Sequence, residues 1–155
     1  MGGPMSSLSP IRPRVLTYLC YGAMMGLAIG LNLLPVFLTT LSELFGGAEG
    51  LTKEQLGRLG ALTFAGLSIG IVITGPLADR FGAKTFVQLG NATIALSLLG
   101  LAFAPTYLST GVWMFVLGLG AGVLDMVLSP VVSALNPGRR AAAMNWLHSF
   151  YGVGA

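Results

Sequence analysis

Four apolar runs, each long enough to cross a lipid bilayer, set the limits on what this chain can become. They cover Val15–Thr39, Leu56–Ala78, Thr85–Ala104 and Ser109–Ser133, and a fifth begins near Ala141 and is cut off at Ala155. A membrane-spanning helix needs ~20 predominantly apolar residues. Only 8% of the 155 residues are charged and 54% are hydrophobic, with a mean hydropathy of +0.83. Soluble domains carry about 25% charged residues, so a water-facing surface is excluded. The expected fold is an all-α membrane protein with four transmembrane helices plus the start of a fifth. Residues 1–14, rich in Gly, Pro and Ser, form a tail. Residues 15–155 form a membrane domain with helices at about 15–39, 56–78, 85–104, 109–133 and 141–155, the last incomplete.

The few bases are placed asymmetrically. With the N-terminus in the cytoplasm, Arg12, Arg14, Arg80, Lys84, Arg139 and Arg140 fall inside, and only Lys53 and Arg58 fall outside. Inner loops of membrane proteins carry the excess of Lys and Arg, so the chain is expected to be a multi-pass protein of the inner (plasma) membrane with a cytoplasmic N-terminus. The net charge of +3 is thereby explained without nucleic acid as a partner. The run after Arg14 is longer than the ~7–15 residues of a signal-peptide core and is read as a retained helix. Glu43, Glu49 and Glu54 lie in the first outer loop. Cys20 is the single cysteine, which excludes an internal disulfide and a cysteine-based metal site.

Local signals sharpen this picture. Thr52 and Gln55 match a capping box at the start of the second helix, and Glu54 and Arg58 form an i,i+4 pair. Gly22, Gly26 and Gly30 recur every four residues on the first helix, Gly66 and Gly70 on the second, and Gly118 and Gly122 on the fourth. Small residues at that spacing let helices approach closely; such faces suit either tight packing or sliding between helices. Gln88 and Asn91 share a face of the third helix and are expected to bond a neighbouring helix.

The residues able to carry chemistry are few. The segment from Gly75 to Lys84 joins the second and third helices through a very short turn. Gly75 permits close helix contact and Gly82 a positive-φ turn. Asp79 is a carboxylate at the membrane face, placed to pair with Arg80 or to cap a helix, and Arg80 and Lys84 hold the loop inside. Asp125 lies in the fourth helix about four residues past its midpoint, ~6 Å towards the cytoplasm. A carboxylate there costs ~2.5–3.5 kcal/mol on insertion scales and normally faces the bundle interior or water. It is either a paired structural group or a proton- and substrate-binding one. Asn32, three residues before Pro35, either touches substrate or bonds a neighbouring helix. Asn145 and His148 share a face of the fifth helix, and His148 is a candidate proton-linked group. One His with no cysteine or carboxylate cluster gives no metal site, and no phosphate loop is present. Neither a cofactor nor an enzymatic activity is expected.

The Gly75–Lys84 segment resembles the signature loop between the second and third helices of the major facilitator superfamily. Ala83 stands where that family usually has a base. The resemblance implies a twelve-helix transporter of small solutes working by alternating access, of which this chain supplies part of the N-terminal six-helix half, the C-terminal remainder being absent. It further implies that Gly75, Asp79, Arg80, Gly82 and Lys84 act in gating. Asp125 followed by Asn145 and His148-Ser149-Phe150-Tyr151-Gly152 is similar to the fucose and glucose permease-like branch, which implies proton-coupled sugar uptake with Asp125 as the coupling acid. A drug efflux antiporter shares the loop, and a small partner-binding or scaffolding membrane protein would share the glycine faces.

Overall fold

The computed structural model describes residues 11–155. Six helices follow in order: α1 (Ile11–Val36), α2 (Leu38–Gly46), α3 (Lys53–Phe81), α4 (Ala83–Ala102), α5 (Tyr107–Leu135) and α6 (Arg140–Gly154), with one 3-10 turn at Gly47–Glu49. No strand forms among the described residues. Four helices are long and apolar enough to cross a membrane: Pro13–Leu33 of α1, α3, α4 and α5. Lipid offers the backbone no hydrogen-bond partners, so an open segment must be helical to span it. The outward faces of α3 and α4, with Phe64, Val72, Leu89 and Leu99 exposed, are the surfaces hydrocarbon would wet.

The N-terminal tail lies largely outside the described residues. The first apolar run does not end as one helix at Thr39. Pro35 lacks an N–H and its ring crowds the Leu31 carbonyl; α1 stops at Val36, and the chain restarts as α2 after Phe37 (φ −99°, ψ 15°). The outer loop is thus partly helical. It closes through the Ser42 hydroxyl, which accepts from the Leu51 N–H at 2.8 Å, and through Gly50 at φ +71°. At the start of α3 the capping box forms: the Thr52 hydroxyl accepts from the Gln55 N–H (3.2 Å), and the Gln55 side chain accepts from the Thr52 N–H (2.9 Å). Arg58 pairs with Glu54 at 2.6 Å, both well exposed, so the pair adds little stability. A second box, Thr106 with Ser109, opens α5.

Helix α5 is the hub. Half of its span is buried (50%), against 39% for α1, 22% for α3 and 17% for α4. Its Leu117, Ala121, Leu124, Leu128 and Val132 form the middle of the core with Met24 and Leu27 of α1, Ile94 of α4 and Leu147 of α6. Helices α3 and α5 run parallel, and the Tyr107 hydroxyl donates to the Gln55 carbonyl at 2.8 Å where both begin. Their contact is made of glycine. A Cβ on Gly66 would overlap the Phe115 carbonyl oxygen, one on Gly118 the Thr63 oxygen, and one on Gly122 the Leu67 oxygen. Helix α4 runs antiparallel to α5, with Gly90 against Leu124 and Gly120 against Ile94.

The glycines of α1 behave differently from the expected small-residue face. A Cβ on Gly30 would meet the Leu117 side chain at 3.2 Å, but Gly22 and Gly26 have open space where a Cβ would sit. Both line a groove of about 880 Å³ between α1 and α4. Spacing alone marks a small face without saying that a helix lies against it. Gln88 and Asn91 line the same groove, and the Asn91 amide donates to Val87 O of its own helix at 2.8 Å rather than to a neighbour.

These contacts predict opposite outcomes for the same substitution. Gly66→Ala and Gly122→Ala each force a Cβ into a backbone carbonyl of the facing helix and lower the midpoint of thermal unfolding in detergent by several degrees. Gly22→Ala meets nothing and leaves the midpoint unchanged or raises it, because Ala favours a helix over Gly by ~1 kcal/mol.

Candidate functional site

One pocket gathers residues from four helices. Met24, Leu27 and Leu31 of α1, Leu67 of α3, Asp125 of α5, and His148 and Tyr151 of α6 enclose about 240 Å³. Asp125 is half-buried, while His148 is exposed towards the pocket's open side. Neither side chain makes an ion pair or hydrogen bond among the described residues. The remaining wall is apolar apart from the Tyr151 hydroxyl. The pocket therefore offers one acid, one imidazole and one hydroxyl against four aliphatic side chains.

The other candidates are placed elsewhere. The Asn32 amide donates to the Ala28 carbonyl at 2.9 Å, one turn back on α1, and Asn32 does not line the pocket. Asn145 is exposed, its backbone carbonyl accepts from the Ser149 hydroxyl at 2.8 Å, and it too stands off the pocket. The i,i+3 spacing of Asn145 and His148 turns them about 60° apart on the helix, enough for one to face the pocket and the other to miss it. Tyr151, three residues beyond His148, was not expected at the site; the spacing that pairs it with His148 was visible, but a tyrosine in an apolar run is most often packing.

The loop between α3 and α4 takes the expected turn at Gly82 (φ +87°), whose N–H donates to the Ala78 carbonyl at 2.9 Å. A Cβ added to Gly75 would meet only the end of the flexible Met126 side chain, at 3.2 Å. Asp79 sits exposed in the last turn of α3 and forms neither of the contacts foreseen for it. Arg80 instead lies over the Phe81 ring at 5.4 Å, and Lys84 is exposed at the start of α4. The five residues share one end of the bundle and do not reach the Asp125 pocket.

A second cavity opens at that same end. Arg14, Thr17, Tyr18 and Tyr21 of α1, Asn136 and Arg139 of the turn before α6, and Trp146 and Phe150 of α6 line about 420 Å³. No group of three or more His, Cys, Asp or Glu able to hold a metal forms among the described residues. Residues 66–70 spell Gly-x-Ser-x-Gly, but a nucleophile elbow needs a strand-to-helix turn. Here the run is mid-helix, its glycines pack on α5 and Ser68 is exposed on the surface.

Four helices long and apolar enough to span a bilayer, joined by short turns, are the framework of a multi-pass membrane protein. The chain belongs to the major facilitator superfamily, whose family model (Major Facilitator Superfamily) matches residues 11–155. It is 34% identical over 105 residues to a niacin transporter of Acinetobacter baylyi, covering 67% of this chain and 24% of the relative. Over 93 residues it is 33% identical to a gentisate transporter of Corynebacterium glutamicum (60% and 21%), and over 106 residues 26% identical to a 4-hydroxybenzoate transporter of Acinetobacter baylyi (68% and 23%). The chain thus spans about a quarter of the length of these relatives. No solved structure matches it significantly.

Asp79 has no partner among the described residues, so Asp79→Asn should leave the thermal midpoint within about a degree, as exposed substitutions usually cost under ~0.5 kcal/mol. If the loop gates transport, the same variant lowers the uptake rate at least severalfold; unchanged uptake would remove the loop from the mechanism.

Proposed function

We propose that this chain carries part of the translocation path of a proton-coupled importer of small aromatic carboxylates. The observation that carries the reading is the composition of the Asp125 pocket. A sugar needs many directional hydrogen bonds, because each polar group left unpaired on burial costs ~1–3 kcal/mol. This wall offers three polar side chains and four aliphatic ones, which suits a flat ring bearing one acidic group. The three relatives described above are named for niacin, gentisate and 4-hydroxybenzoate, each a single ring with a carboxyl group. That support favours an aromatic acid over the sugar suggested by the branch resemblance.

The chemistry follows from charge. A benzoate-like anion crossing hydrocarbon alone is strongly opposed. A His148 ring N–H would donate to its carboxylate, Leu27, Leu31 and Leu67 would flank its ring, and Asp125 would carry the coupled proton. Alternating access exposes such a mid-membrane site to each side in turn. The end bearing Arg14, Arg80, Lys84, Arg139 and Arg140 is assigned to the cytoplasm on its excess of bases over Lys53 and Arg58.

In proteoliposomes holding the natively expressed protein, an inside-alkaline pH gradient should drive accumulation of radiolabelled nicotinate or benzoate. Asp125→Asn, a mimic of the protonated acid, should abolish uphill accumulation by at least tenfold while leaving counterflow exchange intact. His148→Gln should raise KM about tenfold. Accumulation of glucose or fucose instead of the acids, or full coupling in Asp125→Asn, would overturn the assignment.

A further inference from the structure

We infer that the cavity between α1 and α6 at the basic end is a second binding site for a small aromatic monocarboxylate, distinct from the Asp125 pocket; the ligand class rests on the function proposed above. Its wall joins two kinds of group. Tyr18, Tyr21, Trp146 and Phe150 supply four rings, and Arg14 and Arg139 supply two guanidinium groups.

Three of the four rings hold one another, and Trp146 stands exposed beside them. The Tyr21 ring stacks on Phe150 with centroids 5.2 Å apart and planes 23° apart. Tyr18 meets Tyr21 edge-on at 6.0 Å. The Tyr21 hydroxyl donates to the Ala143 carbonyl at 3.1 Å, so a buried tyrosine ties α1 to α6. The Asn136 amide is likewise satisfied within the wall, donating to Thr17 Oγ1 at 3.0 Å and to Val132 O at 2.9 Å.

The guanidinium groups are the polar groups left over. The chain has five acids. Glu43, Glu49 and Glu54 lie at the opposite end of the bundle, Asp125 lines the other pocket, and Asp79 closes α3 without lining this cavity. Neither Arg14 nor Arg139 forms an ion pair among the described residues. Two uncompensated positive charges repel cations and leave a fork of N–H donors free. Arginine holds carboxylates bidentately, and a flat ring stacks against tyrosine and tryptophan in offset or edge-on geometry. An inorganic anion would satisfy the arginines and leave the exposed Tyr18 and Trp146 rings uncovered; a neutral aromatic compound would do the reverse. A ligand carrying both a ring and a carboxylate uses the whole wall.

The two cavities lie in series on the same helices. On α1, Tyr21 lines the basic cavity and Met24, one turn on, lines the Asp125 pocket; on α6, Trp146 and Phe150 alternate with His148 and Tyr151. The second site therefore lies between the first and the end of the bundle that bears the bases, where a transported acid would pass.

The test is equilibrium binding of radiolabelled benzoate to the natively expressed protein in detergent, measured by scintillation proximity. Wild type should bind two benzoates per chain, and in His148→Gln one of the two should weaken about tenfold, leaving the other as the tighter site. In the His148→Gln background, adding Arg14→Gln and Arg139→Gln should raise the remaining Kd about tenfold or more, the loss expected for a charge-assisted pair. Lysine at both positions should restore most of the affinity, which separates lost charge from lost fold. Trp146→Leu should weaken the site severalfold, cyclohexanecarboxylate should bind several times more weakly than benzoate, and benzyl alcohol should not compete. The inference fails if His148→Gln removes all benzoate binding or if the glutamine pair leaves the remaining site unchanged. It also fails if inorganic phosphate or a phosphatidylglycerol nanodisc displaces benzoate completely, which would mark a general anion or lipid-headgroup site. Arg-dependent benzoate binding in a protein that accumulates no aromatic acid would sink the transport reading and leave this site standing. Coupled uptake with a single, His148-dependent site would do the opposite.

Discussion

The bundle depends on how closely α3 and α4 can approach α5. In lipid the hydrophobic effect gives helices no reason to associate, because the hydrocarbon tails are as apolar as leucine; packing contact and hydrogen bonds must hold them. Gly66, Gly70, Gly118 and Gly122 bring the backbones of α3 and α5 into direct contact over two turns, and Gly90 and Gly120 do the same for α4. With those helices pressed against it, α5 turns Leu117, Ala121 and Leu128 into the core it shares with Met24 and Leu27 of α1 and Leu147 of α6. Asp125 follows Leu124 on this helix, so its position between α1, α3 and α6 is set by the same glycines that seat α5.

A second regularity decides which polar residues remain available. Within the apolar body, hydroxyl and amide side chains mostly turn back onto their own helix: Thr17 donates to Pro13 O, Asn32 to Ala28 O, Thr63 to Leu59 O, Asn91 to Val87 O and Ser97 to Ile94 O. Such back-bonding satisfies a donor without a partner helix. It also occupies one of the two amide N–H groups of Asn32 and of Asn91. Asp125 has only acceptors when ionised and no backbone N–H within reach of a helix interior, so it cannot be satisfied in this way. The polar residue most costly to place in the membrane is thus the one left facing a cavity.

The sequence made the helical class, the four spanning runs and the cap at Thr52 legible, because each is a one-dimensional signal: run length, charge placement, and the spacing of a hydroxyl and an amide. The break after Val36 was half visible, since Pro35 marked the strain but not the side on which the helix would yield. Spacing misled at Gly22 and Gly26, which repeat like the glycines of α3 yet face an open groove, and at Asn145, which shares a helix face with His148 only to within 60°. The gathering of the pocket was not legible. Asp125 and His148 lie 23 positions apart, and whether two such residues meet depends on the rotation of α6 about its axis, set by the Tyr21 bond to Ala143 and by Gly154 against Met25. Arg14 and Arg139 were read as topology markers for the same reason. A base at the end of an apolar run satisfies the charge rule wherever its side chain lies, and only the folded chain reveals that aromatic rings stand beside it.

The α1–α6 pair then ties the two cavities together mechanically. Tyr21 and Leu31, lining the basic cavity and the Asp125 pocket respectively, are ten residues apart on α1, a rise of ~15 Å. Along it α6 meets α1 where the Tyr21 hydroxyl reaches the Ala143 carbonyl and where Gly154 lies against Met25 and Ala28. A rigid tilt of α6 about either contact changes both cavities at once, narrowing one wall as it shifts His148 against Asp125. The contact between these two helices, made by the Tyr21 hydroxyl on Ala143, the Tyr21–Phe150 stack, the Leu147 side chain in the core with Met24 and Leu27, and Gly154 against Met25, therefore borders both cavities.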